Sequence, residues 1–272
     1  MRLEAATLPL EPRPVGVCID LAILFYRQHA GKLVALSAIF GAVPVTVGAL
    51  RAANGDGWIW TALLFFYGSS FLGAAIVAGA GHHVFGEPFT LTNALGQFYR
   101  RMGSLLILLP LARTLLALVG IMCWGIPFIP LGVRNGFLAE VLILEQLKGA
   151  RAWRRLQEIL KSSFLDACAR YTAILSFSAI VGAAMFLLVD IACDALFGVP
   201  ILVAKVSWAM AFQDISNLVA YDPLLVATLA SIFWLVYPLA RLAWFFCYLD
   251  SRIRKEGWDV EIDFRLEARR IA

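Results

Sequence analysis

The sequence contains few charged residues, because Asp, Glu, Lys and Arg make up only 15% of its 272 residues. A soluble domain typically has about 25% charged residues. The hydrophobic share departs in the opposite direction, at 61%. The two departures exclude an ordinary soluble domain and indicate a protein whose main solvent is lipid.

Catalytic and metal-binding patterns are also missing. The five cysteines include no C-x-x-C pair, so we predict neither a disulfide framework nor a metal site from them. No H-E-x-x-H, G-x-S-x-G or G-x-x-x-x-G-K-[ST] pattern is present. We therefore predict no catalytic residue and no cofactor, and an enzyme is the minor alternative. Basic residues flank apolar stretches instead of forming an aromatic-rich stripe, so no nucleic-acid partner is expected.

Histidine is scarce as well, with three in the chain. His82 and His83 lie close to Glu87, a combination compatible with a metal ion. Adjacent residues on a helix point about 100° apart, so the two imidazoles would face different directions. No third strong ligand is evident, and we interpret all three as residues of the membrane interface.

Long apolar stretches are abundant. About 20 apolar residues cross the ~30 Å hydrocarbon core of a bilayer as a helix. Six stretches fit, and the predicted spans are residues 33–50, 58–79, 104–124, 127–147, 172–192 and 224–248. The sequence therefore predicts an all-α, polytopic transmembrane bundle of about six spans, forming a single integral membrane domain over residues 1–272. Residues 197–221 contain a shorter apolar run interrupted by Lys205, which favours an interfacial or re-entrant segment.

The positions of Lys and Arg predict the orientation. Residues 1–32, 80–103, 148–171 and 249–272 together carry 18 of the 23 basic residues, whereas the loops on the other side carry only Arg51 and Lys205. Cytoplasmic loops are enriched in Lys and Arg. We expect a multi-pass protein of the bacterial cytoplasmic (inner) membrane, with both termini in the cytoplasm and the bilayer as its main partner.

An internal repeat is a further hypothesis. Residues 19–36 and 92–108 both place Phe-Tyr-Arg before a span, and residues 155–175 have similar character. Each stretch has the composition of an amphipathic helix at the membrane interface, compatible with three helix-plus-hairpin units. The alternative is that any interfacial helix needs an aromatic residue and an arginine.

Five ionisable side chains fall within the predicted spans, and such groups usually have a partner or line a polar cavity. They are Arg113, Arg134, Glu140, Glu145 and Arg241. A helical rise of 1.5 Å per residue puts three of them at similar depth. We expect Arg113 and Glu140 to pair across adjacent spans, Arg241 and Glu145 to reach the interface, and Arg134 to reach the outer face. The alternative is an inward-facing pocket for an anionic group near Arg113, Glu140 and Arg241.

The C-terminal tail, residues 249–272, has its own pattern. A helix continuing to Glu256 would pair Asp250 with Arg254, and Arg252 with Glu256, each four residues apart. Gly257 would then end the helix. Residues 258–266 alternate apolar and polar side chains, which is compatible with a strand, although a short membrane-bound helix competes. The tail is a candidate interface for another membrane or cytoplasmic protein, or it packs on the span ends.

Both ends of the chain resemble uncharacterised bacterial six-span proteins related to the glycerophosphodiester phosphodiesterase membrane domain. At the front the matching positions are Pro14, Asp20, Tyr26, Arg27 and Pro44, and at the end they are Tyr248, Asp250, Arg252, Arg254, Glu256, Gly257 and Asp259. In the namesake enzymes a separate soluble barrel carries catalysis. The resemblance therefore implies an accessory membrane module without phosphodiesterase activity.

Two functional hypotheses follow. The first is a non-catalytic scaffold or partner-binding subunit of a bacterial envelope complex, acting through the tail. The second is a transporter or lipid-handling component that uses the polar cluster of Arg113, Glu140 and Arg241.

Overall fold

The structure is a computed structural model, and it describes residues 13–55, 59–84, 86–123, 128–147, 149–161, 163–199, 201–202 and 221–256. Within these ranges the chain forms nine helices and no strand, as the all-α prediction requires. The helices are α1 (Val15–Gln28), α2 (Ala30–Ala53), α3 (Ile59–Val84), α4 (Leu91–Met122), α5 (Phe128–Gly136), α6 (Leu138–Ile143), α7 (Ala150–Leu160), α8 (Phe164–Phe197) and α9 (Pro223–Glu256).

Five described helices are long and apolar enough to cross a membrane, namely α2, α3, α4, α8 and α9. Helices α2, α8 and α9 each contain one predicted span and extend beyond it, whereas α3 and α4 overlap most of the spans predicted at residues 58–79 and 104–124. Pro44, Pro110 and Pro238 lie inside α2, α4 and α9, as expected from the span boundaries. The helical membrane bundle predicted from composition is confirmed at this level.

The predicted fourth span, residues 127–147, differs from the expectation because it is broken into α5 and α6 at Phe137. The two short helices still run back along α4, since Phe128 contacts Gly120 and Gln146 hydrogen-bonds Arg101. The ring of Phe137 is buried and stacks on Trp244, with 4.5 Å between the centroids. A backbone break at membrane depth is tolerated where protein covers it.

Of the predicted interfacial helices, α1 and α7 are separate elements, whereas residues 92–103 are the first turns of α4. The first and third proposed units therefore begin with a distinct helix, and the second does not. Phe25 and Phe98 of the repeated Phe-Tyr-Arg are both buried, but Tyr26 donates to the Leu235 carbonyl while Tyr99 is exposed. The structure thus supports only a loose similarity among the units.

The helices α3 and α9 occupy the centre of the bundle. Helix α3 packs against α2, α4, α6 and α9, and α9 also packs against α1, α2 and α8. The second half of α3 is rich in small residues, and nearly all are buried. Small residues allow helices to approach closely where water supplies no driving force. The large aromatic side chains of α9 fill the space opposite them.

Two ends of the bundle can be distinguished. The basic end holds the start of α1, α4 and α8 and the end of α3 and α9, since the Arg13 amide donates to Asp250 and Arg170 pairs with Asp250. At the opposite end, Gly198 in left-handed conformation closes α8. There the buried Asp190 accepts from the backbone amides of Ile201 and Leu202, each at 2.9 Å. The remaining part of segment 197–221, including Lys205, lies outside the described residues.

Candidate functional site

Glu140 pairs with Arg241, which corrects the expected pairing of Glu140 with Arg113. Arg241 Nη2 donates to Glu140 Oε2 at 2.6 Å, and Arg241 Nη1 donates to the Gly136 carbonyl at 3.0 Å. The Glu140 side chain is 0% exposed and that of Arg241 9%, so Arg241 does not reach the interface as expected. The two helices that carry the pair are separated in sequence by α7 and α8, and depth alone could not reveal that they meet.

Gly73 of α3 makes this pair possible. A Cβ atom on Gly73 would lie 3.1 Å from Arg241 Nε and 2.5 Å from the Tyr237 hydroxyl oxygen. The absence of a side chain at Gly73 therefore gives Arg241 and Tyr237 of α9 room to lie close against α3.

Arg113 forms no salt bridge with any described residue. Its guanidinium carbon lies 5.1 Å from the centroid of the Phe66 ring, a cation–π distance. Arg113 and Arg241 border the same cavity, so the structure brings together the three residues of the predicted polar cluster, with Glu140 behind Arg241.

The cavity has a volume of about 130 Å³. One water needs ~10–15 Å³ by this measure, so the space holds several waters or one small polar group. Helices α3, α4, α5, α6, α8 and α9 contribute its walls. Besides Arg113 and Arg241, its polar lining consists of Ser70, Asn135, Tyr171, Tyr237 and Trp244.

Buried polar atoms without a hydrogen-bond partner concentrate at this cavity. Four belong to lining residues and one belongs to the ion pair behind them: Ser70 Oγ, Asn135 Oδ1, Arg241 Nε, Trp244 Nε1 and Glu140 Oε1. Buried polar groups in folded proteins are almost always paired, with protein or with bound molecules. Their concentration here marks this cavity as the candidate functional site.

Glycines let the polar ends of two aromatic residues reach the cavity. A Cβ atom on Gly136 would lie 2.6 Å from Trp244 Nε1, and one on Gly132 would lie 3.0 Å from the Tyr171 hydroxyl oxygen. Both glycines belong to α5. Helix α5, the first half of the broken crossing, is therefore the surface against which the Tyr171 hydroxyl and Trp244 Nε1 lie.

The cavity favours negative charge. The guanidinium groups of Arg113 and Arg241 border it. Glu140 balances the charge of Arg241, and Arg113 has no carboxylate partner among the described residues. Indole and guanidinium groups only donate, and the hydroxyl groups of the lining can donate as well as accept. Asn135 Nδ2 donates to the Ala112 carbonyl, and its oxygen remains an acceptor. A donor-rich, positively charged pocket suits a phosphate or carboxylate group.

Sequence reasoning missed Ser70, Asn135, Tyr171, Tyr237 and Trp244 as members of this site. Each is a polar or amphipathic side chain inside an apolar stretch, which is the signal that could have identified them. Arg134 also differs from expectation, because its guanidinium carbon lies 5.6 Å from the Trp153 ring of α7 and does not reach outward.

The described part of the tail motif faces its own chain. Asp250 is 2% exposed, accepts from Arg170 Nη1 at 2.6 Å and from Arg254 Nε at 2.9 Å, and also accepts from the Arg13 amide. The predicted Asp250–Arg254 pair is thus confirmed. Asp250 ties α9 to α8 and to Arg13 just before α1, which agrees with the alternative that this part of the tail packs on the span ends.

Glu145 forms a second cluster at the basic end, contrary to its expected role as an ordinary interface residue. It accepts from the buried Tyr248 hydroxyl at 2.7 Å and from Arg155 Nε at 2.7 Å, and Arg252 Nε lies 3.7 Å away. Helix α9 does continue to Glu256, but the Glu256 side chain lies outside the described part of the chain, as do Gly257, Asp259 and the alternating residues 258–266.

The histidines do not form a metal centre within the described residues. His82 Nδ1 lies 2.5 Å from Glu87 Oε2, whereas His83 packs edge-on against His29, with 4.9 Å between the ring centroids. Burial lowers the pKa of His29, and the nearby His83 and Lys32 lower it further. His29 Nε2 has no hydrogen-bond partner, so a proton added there would find no acceptor.

We expect Asp250→Asn to destabilise the protein by about 3–5 kcal/mol, because it removes the carboxylate facing the buried Arg170 guanidinium. The matched control is Asp166→Asn, since Asp166 contacts the same Arg170 but its side chain is 57% exposed. That change should cost about 1 kcal/mol or less. Unfolding by SDS in mixed micelles measures both values, and equal losses would contradict the assignment.

We expect acidification to destabilise the wild-type protein more than the His29→Gln variant. The pKa of His29 is lowered in the folded protein, so below its ordinary value of 6.5 the unfolded chain binds a proton that the folded chain resists. The His29 contribution is fully present above pH 6.5 and is lost as the pH falls toward the lowered value. Melting temperatures measured from pH 7 to pH 5 test this, and parallel curves would refute it.

No family model, curated protein or solved structure matches this chain. The resemblance to the membrane domain of glycerophosphodiester phosphodiesterases accordingly stays a prediction. What the geometry adds is a physical role for two of the positions that carry it, because Tyr248 and Asp250 are buried in the two ionic clusters of the basic end.

Proposed function

We propose that this chain is a transporter or lipid-handling component that binds an anionic group in the cavity between Arg113 and Arg241. The observation that carries the proposal is the convergence of unpaired buried polar atoms on a cavity with one more guanidinium than carboxylate. A purely structural ion pair would need no such cavity beside it.

The broken crossing supports this proposal. In many transporters, discontinuous helices line the substrate site near the membrane midplane. Here the break at Phe137 lies between Asn135 and Ala139, both of which border the cavity. The Gly136 carbonyl next to the break accepts from Arg241, so part of the site is built from backbone.

The proposed membrane is the bacterial cytoplasmic membrane, with both termini in the cytoplasm. The support is the distribution of charge along the fold: Arg27, Arg100 and Arg101 lie at the basic end, together with α7. Positive residues of short loops favour the cytoplasmic side. The Arg13–Asp250 contact also brings the first and last described segments to one end.

A cysteine at position 70 tests the cavity directly, because Ser70 lines it and is 7% exposed. We expect Ser70→Cys to react about tenfold faster with an anionic than with a cationic methanethiosulfonate reagent, since the excess guanidinium attracts the anion. Cys123, Cys168 and Cys193, which are not buried, are first replaced by alanine. Inorganic phosphate should protect the thiol.

The control for this experiment is the charge of Arg113. In Arg113→Gln the preference for the anionic reagent should disappear, and in Arg113→Lys it should largely remain. Arg134→Gln is a matched change, because Arg134 lies on α5 over Trp153 and does not line the cavity. A preference that survives Arg113→Gln, or a thiol that neither reagent reaches, would contradict the proposed function.

The second candidate function is the scaffold or partner-binding subunit of an envelope complex. One observation favours it: the end of α9 is held by both ionic clusters, through Tyr248 and Glu145 and through Asp250 and Arg170. The last described turns of α9 are therefore held in place, directly before residues 257–272 in the sequence, and an ordered anchor reduces the entropy cost of binding.

Deletion of residues 257–272 tests this candidate, because it keeps every described residue of both clusters. We expect the melting temperature to change little and a cross-linked complex with an envelope protein to fall about tenfold in abundance, as loss of a small interface core would cause. Truncation at residue 249 is unsuitable, since it removes the Asp250 that balances Arg170. An undiminished cross-link would exclude the tail as the binding element.

A further inference from the structure

A second polar depression lies at the basic end, apart from the cavity just described. It is an open groove of about 870 Å³ between the first turns of α4, the end of α3 and the segment that follows α6. All of its lining residues except Gly96 carry polar side chains: His82, Glu87, Thr92, Asn93, Gly96, Gln97, Arg100, Arg101 and Gln146. Pockets of ~300–1,000 Å³ are the size that small ligands occupy.

The charge of the groove is positive. Arg100 and Arg101 are opposed by one carboxylate, Glu87, and that carboxylate is in contact with His82. Gln97 also lines the groove, and its Oε1 has no hydrogen-bond partner among the described residues. Arginine and amide side chains together recognise phosphate oxygens and neighbouring hydroxyl groups.

Gln146, a residue with a strained backbone, holds Arg101 in place. Gln146 has a φ of +57°, the one positive value of a non-glycine residue in the described chain. In this conformation its Oε1 accepts from Arg101 Nη2 at 2.6 Å. Left-handed residues other than glycine are costly and cluster at functional sites. A functional need for Arg101 at this place in the groove would explain why the strain at Gln146 is retained.

The depth of the groove matches that of lipid headgroups. The helix α4 has 32 residues and is therefore about 48 Å long, which exceeds the ~30 Å hydrocarbon core. Its apolar part begins near Ser104, so the turns that carry Arg100 and Arg101 extend into the headgroup region on the basic side.

The outer surface of α4 joins the groove to the hydrocarbon region. Gly96, Arg100, Gly103 and Ile107 follow one another at intervals of three or four residues and share a face. Neither glycine has any atom near the place of a Cβ, so open space runs along this face. Ile107 is 68% exposed and Leu111 53%, which continues the face as an apolar surface.

From this arrangement we infer that the groove binds the phosphate headgroup of an anionic phospholipid, with an acyl chain lying along the Gly96–Ile107 face of α4. Arg100 and Arg101 hold the phosphate, and the amides of Asn93 and Gln97 contact the polar part of the headgroup. Basic pockets between transmembrane helices on the cytoplasmic side bind anionic lipids in this way. The inference is independent of the proposed function of the cavity at Arg113.

Native mass spectrometry of the full chain in detergent tests the inference, with dioleoyl phosphatidylglycerol and dioleoyl phosphatidylcholine as the two probes. We expect at least about tenfold tighter binding of the anionic lipid, and loss of that preference in the Arg100→Gln/Arg101→Gln variant. The matched control is Arg151→Gln/Arg154→Gln, which removes two exposed arginines of α7 at the same end. Equal binding of both lipids by wild type, or an unchanged preference in Arg100→Gln/Arg101→Gln, would overturn it.

Gly103→Leu separates a lipid from a free anion. The added side chain meets open space in the protein, so the fold is expected to persist, but it occupies the path of the acyl chain. We expect weaker binding of phosphatidylglycerol with unchanged binding of inorganic phosphate. If Gly103→Leu leaves lipid binding intact, the assignment to a lipid is overturned. Arg113→Gln should not alter this binding, which keeps the result separate from that of the cavity.

Discussion

The ion pair between Arg241 and Glu140 is the constraint on which the centre of the bundle depends. Both groups are buried at membrane depth, where an unpaired charge costs at least ~2.5–3.5 kcal/mol and usually demands a partner. Arg241 of the pair lies close against Gly73 of α3 and also donates to the Gly136 carbonyl beside the break between α5 and α6. The pair therefore joins α9, α3, α5 and α6 at the wall of the cavity.

The polar cavity follows from how the pair is enclosed. Glycines on α3 and α5 bring Tyr237, Tyr171 and Trp244 close to the backbone, with their polar atoms on the cavity wall. In a fully packed apolar core, aliphatic side chains would occupy the positions of these polar residues. The chain instead retains donors that have no partner among the described residues, and it retains a second arginine. Both features disfavour a role limited to stability, because unsatisfied buried donors weaken a fold.

The basic end combines rigid and accessible parts. Asp250 and Glu145 gather Arg13, which precedes α1, and residues from α7, α8 and α9 into two ionic clusters, so these parts of the chain are held together. Beside them, the first turns of α4 and the strained Gln146 leave an open, positively charged groove. Charge at this end therefore has two uses, since buried carboxylates balance some arginines and others face the surroundings. The amino-acid composition does not distinguish the arginines that are balanced by buried carboxylates from those that face the surroundings.

The sequence by itself determined the helical membrane class, the approximate position of the long helices and the Asp250–Arg254 pair. These features are local: apolar length decides whether a helix can cross lipid, and residues four apart meet on any helix. Only the tertiary structure decided that Glu140 meets Arg241 in place of Arg113, that Asp250 meets Arg170, and that the fourth crossing breaks at Phe137. The sequence gives the depth of a residue along its helix. The packing of the helices decides in which direction that side of the helix points and which helix lies opposite it.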